Sequence, residues 1–455
     1  MVEIIEKVAA APAIVLEKGI YLLKNIGNRA AEARRIKKAR DFWNGLGPGL
    51  VTGAADDDPS GIATYSQTGS SYGFQLLWLA GFTFPLMAIV QEMCARLGLV
   101  TGRGLAGNIR THYPTWVVSS CAMLLFVANS INIGADLSAM VKATQLLDPN
   151  LNFIFLTFLF TFFSLGLQIF SPYARYAKYL KYLVLVLLSY VVTTFIVQID
   201  LKQLLLYTII PSITFSKDQL ILITGILGTT ISPYLFFWQT SHEVEEEILH
   251  GKTSVRLREG ATDEEIRAMR TDVWSGMFIS NLIMYFIIAT CAAVLFSHGI
   301  TNIGTAADAA AALKPLAGEH AFLLFAVGII GMGLLAVPTL AGSAAYAVAE
   351  NFKWRSGLHF TLHQARPFYG TLILSMLIGL AITFMGFDPI KLLIYTAVVN
   401  GLISPFILFL IVHLTSTRHV MKERVNHPLV AGLGWLIIGI MTVSGIATVV
   451  SLLAG

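Results

Sequence analysis

Gly47–Gly61 reads GPGLVTGAADDDPSG, and the fold follows from how that stretch is read. It sets three adjacent carboxylates, Asp56, Asp57 and Asp58, inside an apolar run that continues through Tyr72. Ionisable side chains at bilayer depth are costly, face a cavity or a partner, and mark a transport path. Pro59 comes next; it brings no backbone donor and pushes Asp58 out of helical geometry. With Ser60 and Gly61 following, the spacing predicts a helix unwound here, its freed carbonyls and half-helix ends turned toward an ion. An external loop between two short spans fails on length, because neither flank crosses a bilayer alone.

Outward from this stretch the chain is uniformly apolar. Its 455 residues are 55% hydrophobic and 13% charged, with a mean hydropathy of +0.70, which predicts an all-α polytopic membrane protein. Cys94, Cys121 and Cys291 fall in apolar spans with no CxxC or Cys/His spacing, so neither a disulfide framework nor a zinc site is indicated. Residues 1–44 form a polar tail, basic from Lys18 to Arg40 with interspersed Ile, Leu and Tyr. That pattern suits a helix on an anionic cytoplasmic leaflet, and a plain cytosolic tail equally.

Eleven spans are expected, near 46–68, 73–101, 115–142, 151–171, 176–199, 219–242, 272–297, 320–350, 367–386, 389–414 and 429–453. With the N-terminus inside, all but five of the 31 Lys and Arg residues fall on the cytoplasmic side, the exceptions being Lys142, Lys202, Lys217, Lys314 and Lys391. That bias is the positive-inside pattern, and it puts the C-terminus outside the cell membrane. A single transporter domain over 45–455 then divides into repeat one (46–199), repeat two (219–414) and an extra helix (429–453). Span six carries a second interruption, GILGTTISPYLFF, with Pro233 after Gly225 and Gly228. Spans one and six each open a five-helix block and cross in opposite senses, and paired broken helices in inverted halves predict a midplane site.

At these two interruptions the chain resembles the Nramp family of divalent-metal transporters. GPGLVTGAADDDPSGIATYSQTGSSYGFQLLW follows that family's DPGN-bearing first helix, and GILGTTISPYLFFWQTS its sixth. ADAAAALKPLAG, PTLAGS and NGLISPF also look like Nramp segments, so the likeness covers most of 45–415. It implies a LeuT-type (leucine-transporter) fold with a metal held between unwound helices one and six. The departures are informative. Asp58 and Pro59 keep the family Asp-Pro, whereas Gly61 replaces its Asn and Ser232 its Met. Tyr234 and Gln239 stand for its two His residues, Asp136 survives but Ala139 replaces a Glu, and Asn400 stands where a Gln is usual. Span nine lacks internal arginines. The combination looks like the Nramp-related magnesium transporters, a branch implied to move Mg²⁺ and Mn²⁺ without proton coupling.

The resemblance and the chemistry together make Asp58, Gly61, Thr229, Ser232 and Asn400 the candidate metal site. Losing the thioether leaves an all-oxygen set that suits hard ions, and Mg²⁺ is usually held by one or two carboxylates plus retained waters. Thr229 offers a backbone carbonyl and Ser232 a hydroxyl or a water-mediated contact. Asn400 is either a ligand or interhelical glue. Asp56, Asp57, Tyr234, Gln239 and Asp136 are placed along the path or behind the ligands. For Asp56 and Asp57 a structural hydrogen-bonding role is an equal reading, and for Tyr234 so is packing. Glu243, Glu245, Glu246 and Glu247 read as a solvated helix start. Asn129, Asn132 and Asp136 share a face of span three, read first as interhelical bonding. The run 152–163 reads as lipid-facing.

The expected partners are a divalent metal ion as substrate and the lipid bilayer, with no nucleic acid, cofactor or obligate protein partner. The alternatives are a proton-coupled importer of transition metals, an amino-acid transporter on the same fold and an ion channel, the last disfavoured by paired broken helices in inverted repeats. Against the first stand the missing Met and Glu and the expected lack of a histidine within the membrane; against the second, three acids would repel a substrate carboxylate. No phosphate-binding loop or catalytic motif points to an enzyme or a pump.

Overall fold

The computed structural model describes residues 47–170, 184–197, 199 and 201–454. The tail at 1–44 and the first part of the span expected at 176–199 lie outside them. Every element among the described residues is helical. In chain order the helices of eight or more residues are α1 Pro48–Asp56, α2 Pro59–Tyr72, α3 Trp78–Thr101, α4 Leu105–His112, α5 Thr115–Gln145, α6 Phe153–Phe170, α7 Val184–Ile196, α8 Leu201–Ile209, α9 Lys217–Thr230, α10 Pro233–Leu249, α11 Asp263–Val294, α12 Ala321–Asn351, α13 Arg366–Thr383, α14 Pro389–Ser416 and α15 Pro428–Leu453, with shorter helical turns between some of them.

Nine segments among the described residues are long and apolar enough to cross a membrane, with α9 and α10 together making one of them. Two of the eleven expected spans are not among these. The first is divided into α1, of 9 residues, and α2, of 14, each too short to cross alone. The fifth is represented by α7. The chain is a multi-pass membrane protein.

Both interruptions fall where the prolines predict. α1 stops at Asp56, and Asp58 is extended (φ −64°, ψ 168°) with Pro59 opening α2. α9 stops at Thr230, and Ser232 is extended (φ −84°, ψ 133°) with Pro233 opening α10. The missing proline N–H costs nothing at a helix start, where it would be unpaired anyway. Gly225 and Gly228, read with Pro233 as part of the second interruption, are helical residues of α9. Gly228 serves packing: a Cβ there would sit 2.0 Å from the Ala397 carbonyl oxygen of α14, so α9 and α14 run backbone to backbone. α1 and α11 do the same, since a Cβ on Gly53 would come within 2.4 Å of the Gly276 oxygen. Asp272 of α11 also accepts from Gly49 N (2.6 Å) and Leu50 N (3.2 Å), satisfying the first donors of α1.

α5 forms the long wall opposite, packed along α12 and α13. α6 carries the aromatic run, with Phe155, Phe158, Phe162 and Phe163 exposed and Thr157, Thr161 and Ser164 turned inward. The loops knit into two ends. At one, Gln67 of α2 bonds Ile303 N and the Thr301 carbonyl. At the other, Arg258 bonds the Gly102 carbonyl, Glu350 accepts from Gly107 N, and Arg424 bonds Asp263 and the Ala261 carbonyl.

Candidate functional site

Asp58 begins α2 and is fully buried. Its Oδ1 accepts from Gly61 N at 2.7 Å and Ser60 Oγ at 2.6 Å, so one carboxylate oxygen is committed to starting the helix. Its Oδ2 faces the rest of the bundle, with Asn132 Nδ2 of α5 at 3.3 Å and the Tyr234 hydroxyl of α10 at 3.4 Å. That hydroxyl also donates to the Ala55 carbonyl at 3.0 Å, one of the last carbonyls of α1, which have no partner within their own helix. The two interruptions therefore meet across one phenol.

Asp56 and Asp57 are held differently. Ser280 Oγ of α11 lies 2.7 Å from Asp56 Oδ2 and 3.3 Å from Asp57 Oδ1. Its single proton serves one of them at a time, and Asp56 Oδ1 and Asp57 Oδ2 are buried without a hydrogen-bond partner. Asp136 is buried with neither carboxylate oxygen bonded, one turn beyond Asn132 on α5.

In helix six, Ser232 Oγ donates back to the Gly228 and Thr229 carbonyls, each at 2.6 Å. The hydroxyl thus closes the end of α9, and the Thr229 carbonyl is already one of its acceptors. The Thr229 hydroxyl accepts from Tyr65 of α2 at 3.0 Å, a second bond between the broken helices. Asn400 of α14 is buried, its Nδ2 without a partner, and its backbone carbonyl accepts from Ser404, whose hydroxyl reaches the Ile231 carbonyl at 2.6 Å. Gln239 is buried lower on α10, donating to Glu243 at 2.8 Å. The structure thus joins Asp58, Gly61 and Tyr234 directly and bonds Thr229 to Ser232. No hydrogen bond links Asn400, Gln239 or Asp136 to Asp58 among the described residues.

Two sequence readings change here, those of the acidic run and of histidine, while the interhelical bonding expected on α5 is present at Asn129 and Asn132. The acidic run is not a solvated helix start: Glu243, Glu245 and Glu247 are buried in the last turns of α10. Glu245 accepts from the Tyr346 hydroxyl (2.7 Å) and Leu358 N (2.8 Å) and meets His359 Nδ1 at 2.7 Å, while Glu247 pairs with Lys252. A histidine does lie within a spanning segment, His242, its ring tilted 34° to that of Trp238 with centroids 4.1 Å apart. The polar face of α5 divides its work, Asn129 bonding the Leu340 carbonyl of α12 and Asn132 reaching Asp58. Ser280 and Tyr65 were missed; a lone Ser or Tyr in an apolar span carries no pattern.

No group of three or more His, Cys, Asp or Glu side chains suited to hold a metal is present among the described residues. The groups gathered at the breaks are carboxylate, carbonyl and hydroxyl oxygens, which suit a hard ion retaining some of its water. A cavity of about 350 Å³ lies against the start of α2, lined by Pro59, Ile62 and Ser66 of α2, Ala139, Lys142 and Gln145 of α5, and Asp388–Ile390.

With this geometry in place, comparison with known proteins is direct. Over 427 residues the chain is 29% identical to the divalent metal cation transporter MntH of Klebsiella pneumoniae subsp. pneumoniae, covering 92% of this chain and 95% of that one. Among solved structures, the Eremococcus coleocola manganese transporter in complex with an aromatic bis-isothiourea compound superposes with a TM-score of 0.71 at 18% identity, over 90% of this chain and 87% of that one. MhsT in complex with L-phenylalanine gives 0.60 at 11% identity, over 90% and 98%. At these identities the structural likeness establishes the fold alone, the LeuT type with interrupted first and sixth helices. The profile described as natural resistance-associated macrophage protein-like matches residues 49–451, and the chain belongs to the Nramp family.

Proposed function

We propose that this protein is a secondary transporter of divalent cations, Mg²⁺ and Mn²⁺, working by alternating access without proton coupling. One observation carries the reading: Asp58 is buried between two interrupted helices, with Oδ2 turned away from its own helix and toward α5 and α10. Asp58 provides the carboxylate ligand, the Thr229 carbonyl and the Asn400 amide oxygen complete a hard set, and Ser232 acts through water. Gly61 leaves room for a partly hydrated ion. Asp56, Asp57 and Gln239 continue the path beyond the site. Relatives named for divalent metal and manganese transport support the substrate class. The departures at Gly61, Ser232 and Ala139 support the magnesium branch, in which no thioether selects a softer metal. We place the N-terminus in the cytoplasm, the C-terminus outside and the protein in the cell membrane.

A second reading, proton-coupled transition-metal import, draws on Asp136, a buried carboxylate with no hydrogen-bonded partner. Uptake into proteoliposomes of Mg²⁺, Mn²⁺, Ca²⁺ and Zn²⁺, with lumenal pH recorded, separates the two. We expect Mg²⁺ and Mn²⁺ to enter without lumenal acidification. A stoichiometric, metal-dependent pH drop establishes the second reading, and absence of uptake removes both.

A further inference from the structure

The two oxygens of Asp58 are held unequally. Oδ1 has short bonds to Ser60 and Gly61, whereas Oδ2 has only the longer contacts to Asn132 at 3.3 Å and Tyr234 at 3.4 Å. Oδ2 is therefore the oxygen an arriving ion meets. The Tyr234 hydroxyl sits between that oxygen and the Ala55 carbonyl, which it holds at 3.0 Å. All three residues are buried, Asp58 and Tyr234 at 1% exposure and Ala55 at 0%. Buried acceptors need a donor, and here a single O–H faces one from each side of the α1 break. A proton donor at the meeting point of a carboxylate and a carbonyl occupies ground that suits a bare cation.

We infer that the Tyr234 hydroxyl is a placeholder for the ion, a positioning residue that sets how much water a cation sheds at Asp58. The inference rests on the divalent-cation reading and deepens it. An ion that keeps its water shell presents water protons to Oδ2 and leaves the phenol in place. An ion that binds directly must displace the phenol and break its bond to Ala55. Mg²⁺ gives up water reluctantly, so the placeholder penalises Mn²⁺ more than Mg²⁺ and narrows the difference between them. Removing the hydroxyl while keeping the ring reverses this.

The test is calorimetric titration of the purified protein with Mn²⁺ and with Mg²⁺, comparing wild type with Tyr234→Phe. The expected result is a Kd for Mn²⁺ lowered about fivefold, the factor one net hydrogen bond carries, with a smaller change for Mg²⁺. A purely structural phenol would weaken both ions together or change neither, and either result overturns the inference. If wild type binds neither ion, the transporter reading itself falls, whatever the variant does. Should Tyr234→Phe fail to fold, 3-fluorotyrosine placed at position 234 keeps the hydroxyl and makes it a stronger donor. The Kd for Mn²⁺ must then rise relative to Mg²⁺, and an unchanged ratio overturns the inference equally.

Discussion

Asp57 and Asp58 are consecutive and equally buried, yet their surroundings separate them. Asp58 has Ser60, Gly61, Asn132 and Tyr234 as donors; Asp56 and Asp57 share the one proton of Ser280. A carboxylate already surrounded by donors is stable between ions and gives one oxygen to a cation when it arrives. Asp58→Ala is therefore expected to abolish Mn²⁺ binding in a calorimetric titration while the protein stays folded. Asp56→Asn and Asp57→Asn should each weaken binding by about tenfold, the scale of a group acting behind the ligands; wild-type affinity in the Asp58 variant refutes the assignment. The proposed selectivity is tested at this scale too. Ser232→Met introduces a thioether and releases the Gly228 and Thr229 carbonyls now bonded to the serine. A Cβ on Gly61 would meet the Tyr65 ring at 3.2 Å and the Asp56 carbonyl at 3.4 Å, so Gly61→Asn is accommodated by a small shift of that ring. The pair should move the Mg²⁺ to Mn²⁺ uptake ratio toward Mn²⁺ by about tenfold, as softness and a smaller site both oppose a hydrated hard ion. An unchanged ratio in a transporting protein places selectivity elsewhere.

Among the elements, both interruptions were legible because proline and small polar residues leave few choices of backbone. Pro59 and Pro233 each open a helix as their chemistry requires. Function within a helix was less legible where a neighbour decides it. Gly225 and Gly228 look like breakers in the sequence, and only α14 reveals Gly228 as a packing residue. Gly228→Ala should accordingly lower the midpoint of thermal unfolding, at a cost of about 1–3 kcal/mol for overpacking. Gly166→Ala, where a Cβ meets nothing within 4 Å, should leave it unchanged or raised. The glutamates after span six were misread for the same reason: charge alone suggests water, and their burial comes from Tyr346, His359 and Lys252, which lie far along the chain or across a turn. Glu245→Ala should release the segment around Leu358 and His359, seen as faster amide hydrogen exchange there with α5 unaffected.

For the whole molecule, the topology predicted from Lys and Arg placement assigns each set of loops to one side of the membrane. It places Lys142 and Asp388, at the mouth of the 350 Å³ cavity, outside. A Lys142→Cys protein, exposed beside this cavity, should then react with a membrane-impermeant thiol reagent applied outside intact cells, whereas Arg256→Cys, exposed between α10 and α11, should not. Cys94, Cys121 and Cys291 are buried and give little background. Labelling of the two in the opposite order inverts the proposed orientation.

The end opposite this cavity is fastened by an ion pair and by hydrogen bonds to buried carboxylates. Glu92 takes both Nε and Nη2 of Arg270 on one oxygen and Trp274 Nε1 on the other, and Glu245 clasps His359. In the alternating-access cycle proposed above, the empty return has to undo the fastened end unaided, and we expect it to be the slow half. Cargo on the far side removes the need for an empty return, so vesicles preloaded with unlabelled Mn²⁺ should exchange it for labelled Mn²⁺ faster than empty vesicles fill.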